Sequence, residues 1–194
     1  LRITDPRHDK IRIETDKGGL QSDVYRWVLS NGEFLRWWHD AQNALLWIRG
    51  NPGTGKTMLL CGVIDELSKE SGALSYFFCQ ATDRRMNNAT AVLRGLIYML
   101  VDRQPSLLRH VQKRYEHAGR QVFEDVNAWV AVRDVFLDIL RDPDLRPPCL
   151  VIDALDECQT GRPELLDLIV SCSTASRVKW IVSSRNLPDI AEKL

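Results

Sequence analysis

The chain has 194 residues and a mass of 22.2 kDa, which is enough for one sizeable hydrophobic core and favours a single domain over two. Its 26 basic and 26 acidic side chains give a formal net charge of zero, which argues against a nucleic-acid-binding or membrane-binding surface. No apolar run approaches the roughly 18 residues of a membrane-spanning helix, and five cysteines without a C-x-x-C pair predict buried thiols in a reduced, cytoplasmic protein.

The first segment, residues 1–19, is highly charged and lacks hydrophobic periodicity. It contains the dipeptide Asp5-Pro6, which is typical of a turn or loop. These features predict a linker or arm over residues 1–19 that leads into a domain over residues 20–194.

Two amphipathic segments open that domain, at residues 22–29 and 33–41, and both have helical spacing. They carry an aromatic cluster formed by Tyr25, Trp27, Phe34, Trp37 and Trp38. Large rings at helical spacing favour packing in a core or an interface. A wall for stacking an adenine ring is the alternative.

A phosphate-binding loop is predicted at residues 50–57, where Gly-Asn-Pro-Gly-Thr-Gly-Lys-Thr fits G-x-x-x-x-G-K-[ST] at every fixed position. A buried strand is predicted before it, at residues 44–48, and a helix after it, at residues 58–69, which is the context that this motif requires. Glycines let successive backbone N–H groups converge on phosphate, and the helix dipole points its positive end there. The residues expected to bind nucleotide are Gly50, Asn51, Pro52, Gly53, Thr54, Gly55, Lys56, Thr57 and Met58.

Two residues of this loop have further roles in the prediction. The Lys56 ammonium is expected at the β- and γ-phosphates of the nucleotide. The Thr57 hydroxyl is expected to be a ligand of Mg²⁺.

A second strand is predicted at residues 73–79, which gives the strand, helix, strand succession of a parallel sheet. Arg84 and Arg85 lie in the loop that follows, where strand ends meet the ligand crevice of such sheets. One of them is a candidate for sensing the γ-phosphate, and solvated loop arginines are the alternative. Asn88 is expected near the start of the next helix.

An apolar run that ends in an acid, CLVID at residues 149–153, predicts a buried strand of the Walker B type. Such a strand delivers Asp153 to the C-terminal edge of the sheet, where its carboxylate is expected to hold Mg²⁺ through a water. Glu157 is the candidate general base for the attacking water. Asp156 is the candidate for contacting the metal's ligands rather than the metal itself. The alternative for this pair is a helix N-terminus enriched in acids.

A further strand is predicted at residues 178–184, and Arg185 follows it directly. A cation at the end of a strand beside the Walker B strand is placed to contact the γ-phosphate, in the role called sensor 1. An arginine that caps the strand end in solvent is the alternative.

The motifs at residues 50–57, 153–157 and 183–185 together resemble a NACHT domain, of the STAND class of P-loop NTPases. The sequences YFFCQ at residues 76–80 and NNAT at residues 87–90 more narrowly resemble the NACHT domains of fungal NOD-like receptors, among them heterokaryon-incompatibility proteins. The resemblance covers nearly the whole chain.

This resemblance implies an α/β fold, a three-layer P-loop NTPase sandwich whose parallel sheet has the order 1-4-3-2, with a fifth strand missing at Leu194. It also implies a switch that binds ATP or GTP with Mg²⁺ and hydrolyses it slowly. Members of the family self-associate and carry an N-terminal effector domain and C-terminal repeat domains. Fungal non-self recognition and programmed cell death are the processes that the resemblance implies.

Two alternatives of other classes stay open. A nucleotide kinase or an AAA-type ATPase would need a second-substrate lid or a sensor 2 arginine, and neither is recognisable in the sequence. A scaffold that binds nucleotide without hydrolysing it has the same motifs, so only phosphate release measured against nucleotide affinity separates it from the switch. The guanine signature [NT]-K-x-D does not occur, but NACHT domains need not use it, so ATP and GTP remain alternatives.

Overall fold

The computed structural model describes residues 4–70, 72–119, 123, 127–175 and 177–194. Within these residues the chain forms four strands, each close to a predicted apolar run. They are Leu45–Arg49 (β1), Leu74–Phe78 (β2), Cys149–Asp153 (β3) and Lys179–Ser184 (β4).

Helices connect the strands and cover the sheet. In the described part of the chain they are Pro6–Asp16 (α1), Arg26–Leu29 (α2), Gly32–His39 (α3), Lys56–Glu70 (α4), Ala89–Arg103 (α5), Leu108–Ala118 (α6), Ala128–Leu140 (α7), Arg162–Ala175 (α8) and Pro188–Ala191 (α9). Short 3-10 turns lie at Ser22–Val24, Pro105–Leu107 and Leu155–Glu157.

The four strands form one parallel sheet in the order β1-β4-β3-β2, which confirms the predicted sheet. Arg49 at the end of β1 lies opposite Ser184 of β4, and Phe78 at the end of β2 lies opposite Asp153 of β3. Because parallel strands all point the same way, the four strand ends meet at one edge of the sheet. A ligand crevice is expected at that edge.

Helices lie on both faces of the sheet, so the three-layer architecture is confirmed. On one face, Ser75 of β2 donates its hydroxyl to a backbone carbonyl of α5, and Trp180 of β4 packs against Phe136 of α7 with ring centroids 6.2 Å apart. On the other face, α4 packs against β2 and β3. Each strand therefore has one face turned to each helical layer.

The N-terminal segment differs from its prediction. A linker or arm was predicted over residues 1–19, with Asp5-Pro6 interpreted as a turn or loop, but Pro6–Asp16 form α1. Asp5 is the N-cap of this helix, its carboxylate accepts the Arg7 N–H at 3.1 Å, and Pro6 takes the first helical position. Asp-Pro thus begins a helix here, because proline fits the first turn, where its missing N–H is not needed. The domain boundary at residues 19 and 20 stays a prediction.

Ion pairs rather than an apolar stripe attach α1 to the domain, which explains why hydrophobic periodicity missed it. Lys10 is only 7% exposed, and its ammonium lies 2.7 Å from the carboxylate of Asp65 in α4 and 2.5 Å from that of Glu14. Arg7 reaches Asp102 of α5 at 2.8 Å. A helix bound in this way has no repeating apolar positions for a sequence pattern to detect.

The burial of the aromatic and cysteine side chains can be compared with the predictions made for them. Tyr25, Phe34 and Trp37 of the aromatic cluster are buried in the hydrophobic core, as the packing interpretation predicted, whereas Trp27 is 57% exposed. All five cysteines are buried. No helix in the described part of the chain has the length and apolar character needed to cross a bilayer.

Candidate functional site

Three of the predicted motifs meet at the C-terminal edge of the sheet. The loop at residues 50–55 follows β1, Asp153 ends β3, and Arg185 follows β4. Because β1 and β3 both pair with β4, each of these segments lies beside another. Thr57 and Asp153, more than 90 positions apart in the sequence, are close enough there for the Thr57 hydroxyl to influence the pKa of Asp153.

The loop at residues 50–55 has the backbone that its glycines allow. Gly53 and Gly55 have positive φ angles of 77° and 84°, a conformation that side chains with a Cβ rarely adopt. The Gly50 N–H donates to the Ser184 carbonyl at 3.2 Å, which attaches the loop to β4. The chain enters α4 directly afterwards at Lys56, so the first N–H groups of that helix point to the loop.

Lys56 lies over this loop. Its ammonium donates to the Gly50 carbonyl at 2.6 Å and to the Asn51 carbonyl at 2.9 Å. The Thr54 hydroxyl donates to the same Asn51 carbonyl at 2.9 Å. The cation is thus held at the loop itself, and its contact with the phosphates of a nucleotide stays a prediction.

Asp153 is a buried carboxylate, 2% exposed, and its burial raises its pKa above the ordinary value. The Ser183 hydroxyl donates to the carboxylate and acts in the opposite direction, as do the nearby Thr57 hydroxyl and Ala154 N–H, so these groups favour the charged form. Mg²⁺ prefers hard oxygen ligands and keeps several waters. The buried Asp153 carboxylate and the nearby Thr57 hydroxyl at the helix start are oxygen donors of the kind that fits this ion, and their role as its ligands stays a prediction.

Asp156 and Arg185 contact each other, although they were predicted to have separate roles. The Arg185 Nε donates to Asp156 Oδ2 at 2.6 Å, and the Arg185 backbone N–H donates to Asp156 Oδ1 at 2.9 Å. The Asp156 side chain is 5% exposed and that of Arg185 is 47% exposed. One arm of the guanidinium is thus fixed, while nearly half of the side chain faces solvent at the sheet edge.

Glu157 reaches toward the loop after β2. Its Oε2 accepts the backbone N–H of Ala81 at 2.9 Å. The same loop is joined to the segment after Glu157, because the Gln159 N–H donates to the Asn87 carbonyl at 2.7 Å. The carboxylate therefore links the ends of β2 and β3, and its role as general base stays a prediction.

The arginines after β2 have different surroundings. Arg85 forms three side-chain hydrogen bonds and one backbone hydrogen bond with the Asp83 carboxylate, and this contact lowers the pKa of Asp83 to about 2. Arg84 is exposed. The pairing with Asp83 favours the solvated-loop interpretation for Arg85, and a phosphate contact by Arg84 stays a prediction.

Sequence reasoning missed the hydroxyl of Ser183 and the amide of Ala81 as partners of the acids. Ser183 was noted only as part of the Ser183-Ser184-Arg185 pattern. Its contact with Asp153 follows from the pairing of β3 with β4, which no local pattern contains. The Ala81 amide belongs to the backbone, so residue type gives no indication of it.

A cavity of about 1000 Å³ lies away from these residues, between α7 and α8. Residues that lead into β3 and β4, among them Pro148 and Val178, line it. Those residues mark the N-terminal edge of the sheet, opposite the loop at residues 50–55. A ligand in this cavity would not reach Lys56 or Asp153.

Comparison with known proteins agrees with the resemblance found in the sequence. A family model described as nephrocystin 3, N-terminal, matches residues 23–185. Vegetative incompatibility protein HET-E-1 of Podospora anserina is 61% identical over 197 residues. The match covers 100% of this chain and 14% of that protein, so the chain spans a small part of its relative. The predicted similarity to fungal heterokaryon-incompatibility proteins is confirmed.

Proposed function

Because the chain belongs to the nephrocystin 3, N-terminal, family, and because its whole length is similar to a vegetative incompatibility protein, we propose that it is the nucleotide-binding switch domain, of NACHT type, of a fungal NOD-like receptor. The observation that carries this proposal is the placement of the buried Asp153 carboxylate, at the end of β3, on the same sheet edge as the glycine loop and the Lys56 ammonium. The ligand would be ATP or GTP with Mg²⁺.

Phosphate binding would depend on the loop at residues 50–55 and on the start of α4. The backbone N–H groups at residues 50–57 would bind the phosphates, aided by the helix dipole. Lys56, whose ammonium already lies at the loop, would exchange its carbonyl partners for phosphate oxygens. Thr57 and Asp153 would hold Mg²⁺, which neutralises charge on the β- and γ-phosphates when it is bound.

Hydrolysis would depend on the acids after β3. Glu157 would accept the proton of the attacking water, and its bond to the Ala81 N–H would hold the carboxylate in place. Arg185, oriented by Asp156, would present its exposed side to the γ-phosphate. We propose slow turnover because Arg185 and Arg85 are each paired with a carboxylate, which reduces the charge available to a transition state.

The whole protein is proposed to act in fungal non-self recognition, by analogy with its vegetative incompatibility relative. In that setting the nucleotide state of this domain would control self-association and signalling in the cytoplasm. An N-terminal effector domain and C-terminal repeat domains are the proposed partners along the full-length chain.

A binding scaffold without hydrolysis is the second candidate, and the Glu157 contact favours it. The Glu157 carboxylate joins two strand ends by accepting the Ala81 N–H, and this structural role accounts for an acid at this position without any role in hydrolysis. An AAA-type ATPase has no comparable observation in its favour.

Two measurements on the purified chain distinguish these functions. Calorimetry with ATP and GTP, each with Mg²⁺, gives the affinity and the base preference. Steady-state phosphate release at saturating nucleotide then gives the turnover. The switch predicts binding with slow release of phosphate that Glu157→Gln reduces, whereas the scaffold predicts binding without release. Absence of binding to either nucleotide would contradict both.

A further inference from the structure

The hydroxyl of Ser183 is fully buried, with the residue at 0% exposure, and it lies between the ends of β3 and β4. It donates to Asp153 Oδ1 at 2.5 Å and accepts the backbone N–H of Ala154 at 2.9 Å. A serine hydroxyl has a single proton and can rotate. Because the Ala154 N–H occupies its acceptor side, the proton is directed to the carboxylate, and the Asp153 side chain is held in one orientation.

Ala154 itself has an unusual backbone. Its φ of 53° lies in the left-handed region, and no other non-glycine residue in the described part of the chain has a positive φ. Such a conformation persists only where the surrounding structure enforces it. The bond from its N–H to Ser183 is one such restraint. Directly after Ala154 the chain enters the 3-10 turn Leu155–Glu157, which brings Asp156 to Arg185.

One hydroxyl thus controls two features of the site, the orientation of the Asp153 carboxylate and the turn that presents the acids after it. Groups that hold a metal ligand in place commonly affect metal affinity by roughly 10- to 100-fold when they are removed. We propose that Ser183 is the positioning residue for magnesium binding by Asp153. This inference rests on the proposed function, because it assigns the bound ion to Asp153 and Thr57.

Ser184, the next residue, provides a matched control. It is also fully buried in β4, but it points to the opposite face of the sheet. Its hydroxyl accepts the indole N–H of Trp47 at 2.8 Å and donates to the Arg185 carbonyl at 2.8 Å. Loss of this hydroxyl removes buried hydrogen bonds from the same strand without touching Asp153.

The test compares Ser183→Ala, Ser183→Thr and Ser184→Ala with the unaltered chain. Binding of a fluorescent ATP analogue is measured with excess EDTA and with saturating Mg²⁺, and the ratio of the two affinities gives the gain due to magnesium. We expect Ser183→Ala to reduce this gain by roughly tenfold with unchanged affinity in EDTA. Ser184→Ala should keep the gain, and Ser183→Thr, which retains the hydroxyl, should restore it.

Three outcomes would contradict this role. Ser183→Ala with the full gain shows that the hydroxyl does not position the ion. Equal losses in Ser183→Ala and Ser184→Ala, or a loss that is as large in EDTA, indicate a general weakening of the strand. An unaltered chain that binds the analogue without any gain from Mg²⁺ would instead remove the magnesium site from the proposed function.

Discussion

Asp156 holds Arg185 at two points, with Oδ2 2.6 Å from the side-chain Nε and Oδ1 2.9 Å from the backbone N–H. This contact joins the turn after β3 to the first residue after β4. The sequence suggested one role for the acid near the metal and another for the arginine near the γ-phosphate. In the fold the two side chains form one unit, so a change in either alters the position of the other.

Substitution of Arg185 or Asp156 should weaken the binding of a nucleoside triphosphate more than that of a diphosphate. Because nearly half of the Arg185 side chain is exposed at the site edge, Arg185→Ala is expected to weaken ATP binding by about tenfold, or about 1.4 kcal/mol, and to leave ADP binding nearly unchanged. Asp156→Asn should have a smaller effect in the same direction because it loosens the guanidinium. Calorimetric titration with both nucleotides measures this. Equal losses for ATP and ADP would assign Arg185 to the stability of the strand ends.

Two substitutions of Glu157 separate its structural contact from catalysis. Glu157→Gln keeps an oxygen that accepts the Ala81 N–H but removes the basic carboxylate, so nucleotide affinity and melting temperature should stay near those of the unaltered chain while phosphate release falls at least tenfold. Glu157→Ala removes both functions and should also lower stability by about 1 kcal/mol. Phosphate release that survives in Glu157→Gln would exclude Glu157 as the base.

The attachment of α1 predicts a dependence of stability on pH. The hydrogen-bonded guanidinium of Arg7 lowers the pKa of Asp5 from 3.8 to about 2. Because the folded pKa is the lower one, the stabilisation is fully present above about pH 4 and is lost as the pH falls toward 2. We expect about 1 kcal/mol at pH 7, since Arg7 is 42% exposed, and about half of it at pH 3.

Asp5→Asn is the matched variant, because asparagine is also a good N-cap but cannot ionise. Urea unfolding at pH 7 and pH 3 should show a difference in unfolding free energy from the unaltered chain that shrinks at the lower pH. A difference that is the same at both pH values would show that the ion pair does not contribute.

Gly62 is required by close packing of α4. A Cβ at this position would lie 2.1 Å from the ring of Tyr25, a buried residue whose hydroxyl donates to Glu66 at 3.1 Å. Gly62→Ala should therefore destabilise the chain by about 1–3 kcal/mol even though alanine favours helices by about 1 kcal/mol. Gly32→Ala, at the open start of α3 with no atom within 4 Å, should change stability by less than about 0.5 kcal/mol. Thermal denaturation compares them, and similar melting temperatures would contradict the packing.

The sheet and the loop were predictable because their information is local. Each strand is a short apolar run, and the loop has fixed spacing around its glycines, so the predicted strands agree with β1 to β4 within one or two residues. The strand order followed from the family resemblance. Asp153 was assigned correctly to a strand end because an apolar run that stops at an acid describes a buried strand reaching a polar edge.

The contacts that shape the site were not predictable, because they join distant residues. Asp156 and Arg185 are 29 positions apart, and Ala81 and Glu157 are 76 apart. Their pairing depends on strand register and loop path rather than on residue type. Asp5-Pro6 was misread for a different reason: the same dipeptide breaks a helix from within and begins one at its first turn.

The most direct measurement is calorimetric titration of the purified chain and of Lys56→Ala with ATP and GTP in the presence of Mg²⁺. Lys69→Ala, a change to an exposed lysine in the last turn of α4, is the control, and melting temperatures confirm that all three proteins are folded. We predict saturable binding by the unaltered chain and by Lys69→Ala, and no detectable binding by Lys56→Ala. Unchanged affinity in a folded Lys56→Ala variant would contradict a nucleotide site at residues 50–57.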